Sequence, residues 1–351
     1  GRGAILRTVD PSTVPYTFGP AYQGGVFPAE PVRVGEPYIV RDLRGVNVRL
    51  FPARWDADRG VLRVLERVTY EVTTRGQGGV NVQTRRSTGI QPVFEPLYAE
   101  KFANFARGLK YEINAAEGPM LVIADDGFAG AMQPFVDWKR QRGIPVELVT
   151  TSSVGGTTGG IQTAIQQRYD SPAGLAYVVL VGDGQQVPHY SGAYEGADDD
   201  TRYVRLDGDD PYPDALISRI SAQNATEVTT QVAKIVAYER DVTAGAADWT
   251  HRGTGIASNE GYPSDAERMD WLRDDLLGYT YTDVDQIYQG QGGSGSQISA
   301  AVNEGRSLIN YMGHGSGTSW SSVYYSNGDV AALTNTTWPW IIDVACLNGG
   351  I

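Results

Sequence analysis

Seven short apolar runs follow one another from about residue 118 to the end of the chain: "PMLVIAD", "IPVELVT", "LAYVVLVGD", "GTGIAS", "DVDQIYQG", "RSLINYMGHG" and "WPWIIDVAC". Between them stand stretches with helical spacing, among them "AMQPFVDWKRQRG", "GGIQTAIQQRYD", "ATEVTTQVAKIVAYERDV", "SDAERMDWLRDDLL" and "SGSQISAAVNEG". A brief apolar run bounded by turn residues reads as a strand buried on both faces. Alternated with helices at this spacing, such strands predict a mostly parallel sheet with helices on both faces. Reactive groups in that architecture gather beyond the carboxyl ends of the strands.

The first 110 residues follow a different rhythm. "EPYIVRDLRGVNVRLFPARWD", "GVLRVLERVTYEVTT" and "GGVNVQTRR" alternate apolar and polar residues, broken by Gly, Pro and Asp. This period of two predicts an all-β region with one wet face, closed by a short helix in "EPLYAEKFANFARGLK". Three parts are therefore expected: an all-β region over 1–110, a first α/β half over 111–243 and a second over 244–351. No internal repeat stands out.

Composition narrows the function. A net charge of -12 leaves nothing to neutralise a row of phosphates, so no nucleic-acid partner is expected. The acidity suits cationic substrates and life outside the cell. No window approaches 18 uninterrupted apolar residues, so no membrane span is expected, and the opening "GRGAILRTVD" is not a signal peptide. The single cysteine, Cys346, excludes an internal disulfide framework and a multi-thiolate metal site. Abundant Gly (43) and Tyr (20) resemble a secreted bacterial protein, so a secreted or cell-surface location is expected.

Two predicted strands end in reactive side chains. "LINYMGHG" delivers His314, and 32 residues further on "WIIDVACLNG" delivers Cys346. If these strands are neighbours, both groups emerge at one sheet edge, where an imidazole can take a proton from the thiol and return it to a leaving amine. Glycines on both sides of His314 allow a sharp turn, and the N–H groups of Gly315 and Cys346 are candidate donors to an oxyanion. Glu260, in "ASNEGYPSD", follows another predicted strand and is placed to orient the imidazole. Each residue also has an ordinary reading. A lone cysteine commonly packs as a small hydrophobe, His314 could be a loop residue, and Glu260 could belong to a helix start marked by Pro263 and Ser264. His189 reads as a surface-loop residue, and His251 lies at a strand's amino end, away from such a site. The acidic stretch "ADDDTRYVRLDGDDPYPD" would suit a calcium ion or simply be solvated; its spacing is not that of an EF-hand.

"SLINYMGHGSGTSW" and "IIDVACLNG", with "ASNEGYPSD" upstream, resemble the gingipain family of caspase-like cysteine peptidases. "FVDWKRQRGIPVELV", "LAYVVLVGD" and "VAKIVAYERDVT" extend the likeness over about 118–351. The resemblance implies a caspase-like α/β catalytic domain, with Cys346 as nucleophile, His314 as general base and acid, Glu260 as its partner, and Gly315 and Cys346 as oxyanion donors. It implies protein or peptide substrates with a basic P1 residue, read by an acidic group for which Asp270 is the nearest match and Asp265 and Glu267 compete. Met312 and Trp320 are expected to line the substrate site. Calcium is implied as a structural ion, with Asp198, Asp200, Asp207 and Asp209 as ligands, and no organic cofactor. The all-β region would be a pro-domain that inhibits its own enzyme until cut near Arg107 or Lys110. The family continues with further pocket elements, so the second half is expected to be truncated at 351. A sortase-like transpeptidase and an inactive binding module remain the alternatives.

Overall fold

The computed structural model describes residues 9–15, 17–19, 22–73, 75–76, 78–84, 89–105, 113–193, 196–242 and 247–351. By packing, the chain forms two units: one takes in residues 16–230, the other residues 231–351 with the described part of 1–15. The division falls inside one helix; the expected boundary at 243/244 lies outside the described residues.

In the first unit the N-terminal part builds two small antiparallel sheets. One joins β1 (Val26–Phe27), β4 (Ala53–Asp56) and β5 (Val61–Val64) in the order β1-β4-β5; the other is a hairpin of β2 (Val32–Val40) and β3 (Leu43–Leu50). Helix α1 (Glu95–Lys101) follows, and Phe94, Tyr98 and Phe105 bury against Ile90. The long strand expected across "GVLRVLERVTYEVTT" forms only over Val61–Val64, and no strand forms at the described residues of "GGVNVQTRR". Alternation supplies a face, but a strand also needs a partner for its N–H and C=O groups. Beyond Leu65, whose N–H still reaches the Pro52 carbonyl (2.8 Å), no strand pairing continues among the described residues. At Asn81 the backbone is left-handed (φ 49°), and its side chain and carbonyl bond to Pro37 and Arg44 instead of a ladder.

The rest of the unit is a parallel sheet of β6 (Met120–Ala124), β7 (Val146–Thr150), β8 (Tyr177–Val181) and β11 (Leu216–Ile220) in the order β11-β8-β6-β7. Every residue of β6 is buried, as its unbroken apolar run requires. Helices α2 (Gln133–Gln141) and α3 (Thr158–Tyr169) connect the strands, and a two-residue ribbon, β9 (Tyr190–Ser191) with β10 (Asp198–Asp199), precedes β11. The sequence reading misses β11. As an edge strand carrying Ser218 and Arg219, it lacks the apolar run that marks the others.

Helix α4 (Ala225–Arg240) crosses into the second unit, a parallel sheet of β12 (Arg252–Ala257), β13 (Asp283–Tyr288), β14 (Leu308–Met312) and β17 (Trp340–Val344) in the order β13-β12-β14-β17. Helices α5 (Asp265–Tyr279), α6 (Gly295–Glu304) and α7 (Asn327–Ala331) connect these strands, with a short ribbon of β15 (Ser319–Trp320) and β16 (Tyr325–Ser326). All three helices start with a capping box: Ser264 with Glu267, Ser294 with Gln297 and Ser326 with Asp329. Each of the two α/β halves expected from the alternation thus carries its own four-stranded parallel sheet. In each, the second strand lies on one side of the first, and the third and fourth lie on the other. Such a reversal leaves a crevice at the carboxyl ends of the first and third strands, here β12 and β14.

Candidate active site

Register fixes what leaves that crevice. Ala257, Met312 and Val344 lie side by side across β12, β14 and β17, and the ladder runs on through Ser258 N–H to the Met312 carbonyl (2.9 Å) and Gly313 N–H to the Val344 carbonyl (3.2 Å). Counting outward, Glu260 comes three residues past Ala257, His314 two past Met312 and Cys346 two past Val344. Three adjacent strands deliver the carboxylate, the imidazole and the thiol in that order.

The carboxylate and imidazole meet, with His314 Nε2 3.1 Å from Glu260 Oε2. Holding Nε2 in this way leaves Nδ1 as the ring nitrogen able to exchange a proton with a thiol. Both side chains are largely open to solvent, and the Cys346 thiol is exposed rather than packed in the core. The backbone of the histidine is held more firmly. Tyr311 donates its hydroxyl to the His314 carbonyl (2.6 Å), Ser321 N–H reaches the same oxygen (2.8 Å), and His314 N–H donates to Ser322 Oγ (3.0 Å). Burial pushes the Tyr311 phenol above its usual range, which keeps it a donor.

The glycines flanking His314 serve space rather than turning. Neither Gly313 nor Gly315 has a positive φ. A Cβ on Gly313 would lie 2.6 Å from Ser322 Oγ, and one on Gly315 would collide with the Cys346 carbonyl and lie 2.5 Å from Asn348 Oδ1. The histidine and cysteine loops are thus in direct backbone contact. Gly315 forms an isolated antiparallel bridge with Trp320, closed by bonds from Ser316 N–H (3.2 Å) and Ser321 N–H (2.8 Å). The bridge leaves the Gly315 N–H itself unused. Directly after Cys346, Leu347 is left-handed (φ 66°) although its side chain is exposed, a strained turn of the kind held at functional loops.

Two residues that the sequence reading did not single out tie these loops together. Asp343 Oδ2 accepts from Trp320 Nε1 (2.8 Å) and Asn348 Nδ2 (2.9 Å), and Asn348 Oδ1 accepts from Gly317 N–H (3.0 Å). The signal for them lay in "DVACLN", where Asp343 and Asn348 bracket the cysteine. Beside them opens a cavity of about 530 Å³, lined in part by Ile309, Gly317, Trp320, Tyr325, Asp343 and Asn348.

The three expected substrate contacts divide between the faces of the sheet. Trp320 stacks on Tyr311 (centroids 4.8 Å apart, 19° between planes) and packs with Ile256, Ile287 and Ile309. Met312 packs on the opposite face with Ala257, Met269 and Tyr288. Asp270 belongs to that second face, where its Oδ1 accepts from Tyr288 hydroxyl (2.7 Å) and Gln286 Nε2 (2.6 Å). Among the described residues its Oδ2 takes no hydrogen bond. The competing acids are engaged elsewhere: Asp265 is fully buried and accepts from Ser258 Oγ (2.5 Å), and Glu267 closes the α5 cap.

The remaining expectations fare differently. Arg107 and Lys110 lie outside the described residues. His251 Nδ1 faces the Thr280 carbonyl (2.8 Å) at the amino end of β12, and His189 pairs with Asp198 (3.0 Å). The four carboxylates assigned to calcium do not converge, and no cluster of three metal-ligating side chains occurs among the described residues. Asp200 takes both arms of Arg219 (2.6 and 2.7 Å), while Asp207 and Asp209 donate backbone N–H groups to Asp214 and Asn81. Of the four carboxylates, Asp200 is met by Arg219 and Asp198 by His189, and with no converging cluster among the described residues the four do not form one cation site.

Family models agree with this layout: Peptidase family C25 matches residues 114–351, and Propeptide_C25 matches residues 1–109. Gingipain R1 of Porphyromonas gingivalis is 32% identical over 360 residues, which is 99% of this chain but 36% of that protein. The crystal structure of the Arg specific cysteine proteinase gingipain R superposes with a TM-score of 0.63 at 34% identity, over 66% of this chain and 55% of that one. The complex of the Porphyromonas gingivalis RgpB pro- and mature domains gives 0.62 at 34% identity, over 66% and 56%. The present chain therefore spans roughly a third to a half of these relatives. From the strand ends that carry Glu260, His314 and Cys346 to the propeptide ahead of them, this chain belongs to peptidase family C25.

Proposed function

We propose that residues 114–351 carry the centre of a cysteine endopeptidase that cleaves after Arg or Lys, preceded by a propeptide that restrains it. The observation that carries this reading is the delivery of Glu260, His314 and Cys346 from three adjacent strand ends, with the Glu260–His314 pair already formed. In the reaction His314 Nδ1 removes the Cys346 thiol proton and the thiolate attacks the scissile carbonyl carbon. The resulting oxyanion is met by the N–H groups of Gly315 and Cys346. Collapse expels the amine, which takes the proton from His314, and leaves a thioester; water, deprotonated by the same imidazole, then releases the acid. Glu260 holds the imidazole in the required tautomer and steadies its charged form.

Asp270 supports the basic P1 preference, since one carboxylate oxygen is fixed by Tyr288 and Gln286 while the other remains available to a guanidinium or ammonium group. The relatives' name, Arg specific, favours arginine. The acidic, glycine-rich composition supports a secreted or surface location, and no helix among the described residues is long and apolar enough to cross a membrane.

Incubating the full chain with Arg- and Lys-P1 fluorogenic peptides, beside Cys346→Ala, tests the reading. Cleavage that disappears in Cys346→Ala is expected. A wild-type protein that neither cuts these peptides nor reacts with a thiol-directed Arg probe would sink it. Conjugation to an added amine in preference to hydrolysis would point to a transpeptidase.

A further inference from the structure

The acidic stretch that invites a cation has a different occupant. The turn of the β2–β3 hairpin, Arg41–Asp42, is driven into it. Arg41 is 1% exposed, an unusual state for an arginine, and has a left-handed backbone (φ 50°). Its N–H donates to Asp214 Oδ1 (2.9 Å), and its Nη1 donates to the Asp214 carbonyl (2.8 Å) and the Leu175 carbonyl. The guanidinium stands 4.5 Å from the Phe94 ring centre and 5.4 Å from that of Tyr169. Around this plug the contacts continue. Ile39 N–H donates to Asp210 Oδ2 (2.7 Å), Tyr38 packs on Tyr212 (4.8 Å), and Asn81 bridges Pro37 O (2.9 Å) to Asp209 N–H (2.7 Å). Asp42 is fixed in turn by the Tyr98 hydroxyl (2.9 Å).

Arg41, Ile39, Tyr38 and Asn81 belong to the segment matching the propeptide; Leu175, Tyr169 and residues 209–214 belong to the segment matching the peptidase. We propose that this socket, formed by Tyr169, Leu175 and the loop 209–214, is a retention site on the peptidase for an arginine-tipped β-turn, and that it keeps the propeptide bound after the linking chain is cut. None of its residues belongs to the 231–351 unit that holds Glu260, His314 and Cys346. The inference rests on the family assignment of residues 1–109 and not on the catalytic roles.

The test uses the full chain in a Cys346→Ala background, with a site-specific protease sequence inserted between residues 107 and 110. After nicking, the two fragments should co-elute, and Arg41→Ala should speed dissociation by about 30-fold or more, the loss of a buried charged hydrogen-bonding group. Arg49→Ala, an exposed arginine of the same hairpin, should leave the complex intact. Unchanged dissociation in Arg41→Ala overturns the proposal. If Arg41→Ala does not fold, Arg41→Met decides: methionine fills the space but donates to neither the Asp214 nor the Leu175 carbonyl, so a wild-type dissociation rate there overturns it equally. Hydrogen exchange on the uncut chain is an independent check, because the Ile39 and Arg41 amides should outlast Val34 at the open end of the hairpin. Equal rates count against the socket.

Discussion

Glu260 and His314 leave neighbouring parallel strands, β12 and β14, and meet at 3.1 Å between Oε2 and Nε2. Their side chains are 39% and 60% exposed, so water competes for the pair and its worth is that of a surface ion pair, about 1 kcal/mol. Glu260→Gln should therefore lower kcat/KM roughly fivefold rather than extinguish activity. Steady-state kinetics normalised by active-site titration checks this; a thousandfold loss would mean a deeper role than orientation.

Gly315 is where the histidine and cysteine loops touch. Gly315→Ala should push the Cys346 carbonyl and Asn348 apart, with a cost of about 1–3 kcal/mol in stability and at least a hundredfold in kcat. Gly317→Ala offers the contrast. Its nearest neighbour, the Leu347 carbonyl, would be 3.7 Å away, and only the positive φ of 81° is strained, so a loss of about 1 kcal/mol with activity largely kept is expected. Thermal unfolding and burst kinetics separate the two.

Asp343 accepts from both Trp320 and Asn348, and thereby holds the cysteine loop against the histidine loop. Asp343→Ala should lower kcat tenfold or more while KM changes little, because it misplaces the reacting groups rather than a substrate contact. Asp343→Asn keeps an acceptor oxygen and should recover much of the rate. A change confined to KM would refute this positioning role.

Asp270→Asn removes the charge offered to a basic P1 side chain. Activity on Arg-P1 peptides should fall about a hundredfold, from loss of an interaction of 2–5 kcal/mol, while the rate of alkylation of Cys346 by iodoacetamide stays the same. Equal loss in both measurements would show damage to the site as a whole.

Asp214 supplies a pH signature for the propeptide socket. Burial raises its carboxyl to about 6, against the opposing pull of N–H donors from Leu206, Asp207 and Arg41. A raised carboxyl favours the protonated form in the folded state, so its contribution is fully present below about 3.8 and is lost as pH rises through about 6. The rise from 3.8 to about 6 corresponds to roughly 3 kcal/mol. Urea unfolding between pH 4 and 8 should show that slope in the wild type relative to Asp214→Asn; parallel curves would remove Asp214 as its source.

Local periodicity is sufficient to read most elements. The unbroken "MLVIA" of β6 and the Ser264 start of α5 are set by residues a few positions apart, and the sequence shows them directly. The strand ends carrying His314 and Cys346 are legible for the same reason, since turn residues mark where an apolar run stops. Strand extent is less so, as the early end of β5 at Val64 shows, because a strand requires a partner that its own sequence does not name.

By itself, then, the sequence determined that a histidine and the sole cysteine stand at the carboxyl ends of parallel strands, behind an antiparallel N-terminal part. Only the tertiary structure decided that those strands are neighbours, with Met312 level with Val344, and that Glu260 joins them from the next strand over. It also placed Trp320 and Met312 on opposite faces and filled the acidic stretch with arginines and a hairpin turn. Side-chain period is a property of one segment, whereas register, strand order and the partner of a buried charge arise from contacts between segments far apart in the chain. Arg41 and Asp214 are such a pair.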